Sequence, residues 1–429
     1  MSHSEARPLN VSIVGAGIGG LAAAVSLRRR GHRVRVFESS QIKTEIGAGV
    51  GLQPNALRVL HQFGYSRENL KPKDFDGLVN FDAESGDGIE IPWFHSTPSQ
   101  EIHSVMCHRS DFHDELKRLA IGEGEGPPAK LHLDSKVLAC DPEAGTITLA
   151  NGEIIEADLV IGADGIHSVV RTSILGKVVK ATATGWSCIR CLFDSSRLSE
   201  IDELAWLRGG LSAPRVVTLK GGPFLSFFIY PVRNETLINF VGFHEDPKQD
   251  TPEWTPTVTK EEILTKYHEF HPKFLRILDL PTVTPILRWQ LRAMPLLPTW
   301  IRGRAALLGD AAHATLPLLG QGAAMAIEEA GTLGCLLPLG TTPDEVPARL
   351  EAYQALRKER GELVNTESVA QASPEMRGRY IRCGWLFPLS PSWVLKILAR
   401  ELQTKLMQYD VFKVAQEYHD VHIGGGIKV

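Results

Sequence analysis

A chain of 429 residues, 43% hydrophobic and 22% charged, has the make-up of a globular protein with room for two or three domains. Its net charge of −4 argues against a nucleic-acid or anionic-membrane partner, since those call for concentrated positive charge. The longest apolar candidate, Trp385 to Ala399, is interrupted by Pro388, Pro391 and Lys396 and falls short of the roughly 18 residues a spanning helix needs, so no membrane span is expected.

The polar stretch Met1 to Asn10 has no apolar signal-peptide core, and the final Ile-Lys-Val is not a peroxisomal tripeptide. A cytoplasmic, reduced protein is expected. Val11 to Val14 reads as a buried strand running into Gly15-Ala16-Gly17-Ile18-Gly19-Gly20, Leu21 to Arg29 as a helix, and Arg33 to Phe37 as a second strand ending at Glu38. That βαβ unit is the context a dinucleotide fingerprint requires. Gly15 permits the tight turn, Gly17 lets backbone approach a pyrophosphate, Gly20 lets helix and strand pack, and the helix N-terminus offers free N–H groups to the phosphates. Glu38 is placed for the hydroxyls of the adenosine ribose, and its charge would repel a 2′-phosphate there.

Gly47 to Leu52 is a glycine-rich segment leading to a helix over Ala56 to Phe63, and Ser110 to Ala120 reads as another helix. Residues 131 to 155 form a small antiparallel unit with Asn151-Gly152 as its hairpin turn. Leu159 to Gly162 is a buried strand entering Ala163-Asp164-Gly165. From about 180 to 285 strands dominate, Ser187–Phe193, Arg215–Leu219, Leu225–Pro231 and Leu237–Phe243, suggesting an antiparallel sheet inserted into the nucleotide domain. Ala305 to Leu308 returns to a buried parallel strand. Helices are expected over 323–334, Leu350–Val364 and Trp393–Glu417.

The stretch from Gly309 to Glu329 separates NAD from FAD as the tightly bound group. Asp310, at a strand end, can accept from a sugar-alcohol hydroxyl, which a ribityl chain has and NAD lacks. Pro317 and Gly320-Gln321-Gly322 open a helix whose amides would face the pyrimidine edge of a flavin and stabilise the negative charge of its reduced form. Cys188 and Cys191 form a CxxC, but within a strand they face opposite sides, so no redox or metal pair is expected. His103, His108 and His113 are spaced by five, which is wrong for two ligands on one helix face, and no metal site is expected. His313 reads as support for its loop.

Three segments in this order, Gly15-x-Gly17-x-x-Gly20, Gly162-Ala163-Asp164-Gly165, and Gly309-Asp310 with Pro317 and Gly320-Gln321-Gly322, resemble the single-component FAD-dependent aromatic hydroxylases, the group that includes para-hydroxybenzoate and salicylate hydroxylases. The likeness spans roughly residues 10 to 375 and is closest to the salicylate-hydroxylase-like branch, which includes fungal enzymes of secondary metabolism. It implies an α/β fold: a discontinuous Rossmann-like FAD domain (1–75, 100–180, 286–340), an inserted antiparallel β-sheet substrate domain (76–99, 181–285) and a helical C-terminal region (341–429). It implies that NADPH or NADH reduces the flavin, and that O2 adds to give a C4a-hydroperoxyflavin that hydroxylates an electron-rich aromatic small molecule. Carried over residue by residue, Gly51 lies along the flavin, Arg109 reaches its ribityl-pyrophosphate region, Asp164 and Asp310 contact FAD, and Gly322 and Ala323 border the ring. Arg190 and Tyr230 match catalytic positions in the fungal branch. The chain departs from many relatives at Ile189, which precedes Arg190, and at Glu329, where an aspartate is common.

Two other reactions share this scaffold: epoxidation of an indole or alkene followed by rearrangement, and flavin reduction without oxygenation. No second glycine fingerprint occurs in strand context, so no dedicated nicotinamide domain is expected, which argues against Baeyer–Villiger and N-hydroxylating types. No Trp-x-Trp-x-Ile-Pro run occurs, which argues against halogenases. The sequence is silent on oligomeric state.

Overall fold

The computed structural model describes residues 7–41, 48–75, 77–92, 102–208, 213–219, 224–246, 257–372, 402 and 404–422. Gly47 and the 385–399 run lie outside the described residues. No helix among the described residues is long and apolar enough to cross a membrane.

The expected βαβ unit forms as strand Asn10–Val14, helix Ile18–Arg29 and strand Arg33–Phe37. The strands pair in parallel with Val11 opposite Val34. On its other side Asn10–Val14 pairs in parallel with Leu159–Gly162, which in turn pairs with Ala305–Leu307. The runs Asn10–Val14, Leu159–Gly162 and Ala305–Leu307 are buried on both faces, as central parallel strands require. The register aligns Val14 with Phe37 and Gly162, and Gly162 with Leu307. Glu38, Gly15, Asp164 and Asp310 therefore all leave the sheet at the carboxyl ends of adjacent strands, where open α/β sheets bind their ligands.

A second sheet has seven strands, Gly77–Asp82, Gly88–Pro92, Thr182–Asp194, Arg215–Thr218, Ser226–Val232, Leu237–Glu245 and Leu287–Ala293. It is antiparallel except in one place: Arg215–Thr218 runs parallel to Gly77–Asp82. That pair corrects the purely antiparallel expectation. Its partners are far apart in sequence, so no hairpin constrains their direction. Alternation along Thr182–Asp194 sends Cys188 into one apolar cluster with Trp186 and Val241, and Cys191 into another with Phe193 and Phe240. Both are free and buried, and burial raises both thiols above their ordinary range.

The antiparallel unit expected over 131–155 is a three-stranded sheet, Val137–Asp141, Thr146–Leu149 and Ile154–Glu156, with Gly152 at φ +87° in its turn. Helices cover Pro54–Phe63, Arg109–Ile121, Gly322–Leu336 and Val346–Ala372. The single helix expected over Trp393–Glu417 is interrupted. A helical turn over 404–407 ends before Asp410, whose carboxylate accepts from the amides of Phe412 (3.0 Å) and Lys413 (3.2 Å) and so starts a new helix, Val411–His422.

Candidate functional site

At the nucleotide end the glycines do different work. Gly15 sits at φ +98°, and a Cβ there would lie 2.4 Å from the Ala163 carbonyl oxygen; a Cβ on Gly20 would lie 2.0 Å from the Gly15 carbonyl oxygen. Gly17 has no heavy atom within 4 Å of the same position. Two glycines are thus needed by the protein itself, while Gly17 faces open space. Gly17→Ala is expected to fold normally yet bind FAD about tenfold more weakly, because its methyl would stand in the open space where the fingerprint expects a phosphate. Gly20→Ala is expected to lower the melting temperature of the apoprotein instead. Fluorescence titration with FAD and apoprotein melting separate the two effects.

Glu38 Oε2 accepts from the Ala16 amide at 2.9 Å and Oε1 from the Ser40 amide at 2.8 Å. The carboxylate is therefore held at the mouth of the glycine loop, one bond from the turn. Gly19, not singled out in the sequence, places its hydrogen where a Cβ would lie 2.5 Å from Leu308 Cδ2 and 3.2 Å from the Ala326 methyl. This close approach seats the fingerprint helix against helix Gly322–Leu336 and so joins motifs almost three hundred residues apart.

At the second strand end, Gly309 takes φ +63° and donates its amide to Glu329 Oε2 at 2.7 Å. Glu329 Oε1 meets His313 Nε2 at 2.6 Å, both side chains buried, and the His313 ring lies 5.1 Å from Trp300. Burial lowers the imidazole pKa, but the Glu329 carboxylate outweighs it and raises the value above the ordinary histidine range. His313 thus supports the loop, as expected. The longer Glu329 serves as a clamp between loop and helix. Asp310 beside it is exposed and free to meet a ligand.

Asp164 is committed largely to the protein. Its Oδ2 caps helix Val169–Leu175 through the amides of Val169 (2.8 Å) and Val170 (3.2 Å), while Oδ1 is buried without a partner among the described residues. Burial pushes its pKa up, and the cap bonds offset this only in part. What remains for a cofactor hydroxyl is Oδ1. Arg171, buried, donates to the carbonyls of Ala311 (2.9 Å) and Ile166 (2.7 Å), tying the Asp164 and Asp310 loops together.

The segments expected to border a flavin ring are strand Gly49–Leu52 and the loop Pro317–Gly322. Gly51 lies opposite Met106, where a Cβ would sit 3.2 Å from the sulfur. Arg109 opens its helix directly after strand Ser104–His108, which pairs with Gly49–Leu52, and donates its amide to Ala48 O at 2.8 Å. Gly320 sits at φ +61°, Gly322 is the first helical residue and Ala323 is half-buried beside it. Gly49 joins the two sheets: its amide donates to Asn239 Oδ1 at 2.7 Å, and a Cβ on it would lie 2.3 Å from the Tyr230 ring.

Arg190 and Tyr230 do share one face of the seven-stranded sheet. Arg190 lies opposite Val241, and Tyr230 opposite Asn239 on the next strand. Arg190 Nε and Asn239 Nδ2 are buried without hydrogen-bond partners among the described residues. Burial raises the Tyr230 phenol pKa, and the nearby Arg190 cation opposes that rise. The face therefore offers hydrogen-bond donors against an apolar surround of Leu192, Phe228 and Val241. Asn239 gave no motif signal, because a lone asparagine in an apolar strand has no diagnostic spacing.

A cavity of about 300 Å³ opens beside the Asp164 loop, and His167, Ser168, Lys180 and Arg292 line it. No group of three or more His, Cys, Asp or Glu side chains suited to a metal occurs among the described residues. His108 and His113 serve the backbone, His108 at the Ser110 amide and His113 at Ala16 O (2.7 Å).

The family described as "FAD binding domain" matches residues 132–368, and "NAD(P)-binding Rossmann-like domain" matches residues 13–42. The chain is 40% identical to hispidin-3-hydroxylase of Neonothopanus nambi, over 95% of each chain. It is 30% identical to 3-hydroxybenzoate 6-hydroxylase of Polaromonas naphthalenivorans (strain CJ2), over 86% of this chain and 87% of that one. Among solved structures, a salicylate hydroxylase substrate complex superposes with a TM-score of 0.74 at 26% identity, over 96% of this chain and 98% of that one. The chain belongs to the FAD-dependent aromatic hydroxylases and is a monooxygenase that uses NAD(P)H and O2. The open space at Gly17, the exposed Asp310 and the unpartnered Asp164 Oδ1 fit FAD.

Proposed function

We propose that this enzyme hydroxylates hispidin or a phenol of similar shape in secondary metabolism, within the cytoplasm. The observation that carries this is the identity with hispidin-3-hydroxylase across nearly the whole of both chains. The donor-rich sheet face around Arg190 supports it, since a polyphenol presents oxygens to such a face.

The redox and oxygen-activating chemistry would be supplied by FAD held at these residues. The protein does the rest. Gly15, Gly17 and Gly20 with the helix behind them seat the pyrophosphate. Glu38 takes the adenosine ribose, Arg109, Asp164 and Asp310 the ribityl side, and Gly51, Gly322 and Ala323 border the ring. Arg190 holds the substrate phenol as its anion, which enriches the ring in electrons, and Tyr230 orients the same edge. The apolar surround keeps water from the reacting centre. The division into a flavin domain, a substrate sheet and a helical C-terminal region is part of this reading.

The cavity lined by Lys180 and Arg292 is where we place the phosphates of NAD(P)H, because it gathers positive charge beside the Asp164 loop. Lys180→Ala is expected to raise the KM for NAD(P)H about tenfold, the worth of one phosphate contact, with FAD content unchanged. Steady-state NAD(P)H oxidation at saturating aromatic substrate checks this.

The deciding experiment is NAD(P)H oxidation with hispidin under 18O2. Substrate-stimulated oxygen uptake and a product carrying one labelled oxygen support the proposal. Rearranged or ring-contracted products would place the enzyme with the epoxidases. Hydrogen peroxide alone, with no labelled product from hispidin or a panel of phenols and indoles, would overturn the substrate class.

A further inference from the structure

Three side chains at the loop that opens helix Gly322–Leu336 hold hydrogen-bonding capacity that nothing among the described residues uses. They are Gln53, Asn55 and Gln321, exposed by only 7%, 1% and 1%. Asn55 Nδ2 donates to Gln321 Oε1 at 2.9 Å and to Glu328 Oε1 at 2.6 Å. Both amide protons of Asn55 are then spent, and its Oδ1 is left buried and unpartnered. Gln321 has its oxygen engaged, so its Nε2 amino group is the buried, unpartnered end. Gln53 donates to Leu319 O at 3.4 Å and keeps Oε1 unpartnered.

These orientations are fixed by chemistry. Turning Asn55 over would set its carbonyl oxygen against the Glu328 carboxylate. Turning Gln321 over would set amino group against amino group. Glu328 is itself held by Arg357 Nη2 at 2.6 Å and by Arg360 Nε at 2.7 Å. A line of contacts thus runs from a buried ionic cluster through Asn55 to Gln321, at the residue immediately before the helix. Buried polar groups are rarely left unpaired because the lost hydration is not repaid, so three in one place point to a ligand that pairs with them.

We propose that Gln321 is a further flavin-positioning residue: its Nε2 amino group, oriented through Asn55 by Glu328, donates to a carbonyl oxygen on the pyrimidine edge of the isoalloxazine. That edge carries an N–H between two carbonyls, so it also matches the adjacent unpartnered acceptors on Gln53 and Asn55. A donor there favours the reduced flavin, whose negative charge gathers on this edge. The inference rests on the reading that the Gly320–Gly322 loop borders the flavin ring.

The test uses the full-length protein, with FAD as the probe. Gln321→Met removes the donor with little change of volume. Gln321→Glu keeps an oxygen for Asn55 and replaces the donor by an acceptor. Both are expected to weaken FAD binding about tenfold and to lower the flavin midpoint potential; apoprotein melting is measured alongside, because Met also leaves one Asn55 proton without its acceptor and Glu buries a charge near Glu328. The affinity of Gln321→Glu is expected to recover as pH falls, because the protonated carboxyl can donate again. Wild-type FAD affinity and potential in both variants would overturn the proposal, as would a loss of stability with affinity unchanged. Ala323→Phe separates the two readings. If it leaves the flavin spectrum and FAD affinity unchanged, the loop does not border the ring; if it perturbs them while both Gln321 variants behave as wild type, the Gln321 assignment alone fails.

Discussion

Glu328→Ala is expected to destabilise the protein by about 3–5 kcal/mol, the range seen when one partner of a buried ion pair is removed. The carboxylate is fully buried and accepts from Arg357 at 2.6 Å, from Arg360 at 2.7 and 2.8 Å and from Asn55 at 2.6 Å. Without it, two buried guanidinium groups face each other with no anion between them. Arg360 also donates to Lys405 O and Leu406 O, and the ring of Tyr409 lies 4.0 Å beneath it, so the loss spreads to the last described segment of the chain. Apoprotein melting measures the effect directly. It also has a pH signature. Burial alone would raise the Glu328 pKa, but Arg357 and Arg360 outweigh it and hold the value below the ordinary glutamate range. A depressed carboxylate contributes stability that is complete above its unfolded pKa, about 4.3, and is lost as pH falls through the folded value. Glu328→Gln should therefore melt lower than wild type at neutral pH and converge on it in acid. Equal melting temperatures at neutral pH would show that the two arginines are satisfied elsewhere.

Glu328 also marks where reading the sequence stops. The βαβ unit, the strand Leu159–Gly162 and the strand ends at Glu38, Asp164 and Asp310 were legible because their signals are local: apolar runs, glycines and acids at fixed offsets. What gathers them in space is not local. Gly19 looks like one more glycine of the fingerprint until Leu308 and Ala326 are packed against it. Arg171 and Glu328 look like ordinary helix charges, since nothing in their neighbours announces that they are buried. The parallel pairing of Arg215–Thr218 with Gly77–Asp82 was hidden for the same reason: β pairing between distant segments leaves no period in either one. Asp164 shows a subtler gap. The motif names the residue, but only the structure separates its two oxygens, one in a helix cap and one without a partner among the described residues.

Arg190→Ala is the substitution with the largest expected effect on turnover. Arg190 is a cation on the sheet face proposed to meet the substrate, near Tyr230 and Cys188, with its Nε unpartnered among the described residues. Because it lies on strand Thr182–Asp194, opposite Val241 and Leu287, its backbone is fixed by two neighbouring strands and does not depend on the side chain. The variant should therefore fold and keep its FAD. Loss of a positioned cation that holds an aromatic oxyanion is expected to cut kcat/KM by roughly 10²-fold or more, the scale of electrostatic and proton-transfer groups in other enzymes. Arg190→Lys should recover only part of this, because an ammonium cannot reproduce the planar fork of a guanidinium. The sign of the remaining pH dependence is informative. If Arg190 stabilises the phenolate, its removal raises the pKa of the bound phenol, and the rate of the alanine variant should climb with pH where the wild type is flat. Normal turnover with a wild-type pH profile would make Arg190 a structural residue of the sheet and leave Tyr230 and Asn239 to recognise the substrate.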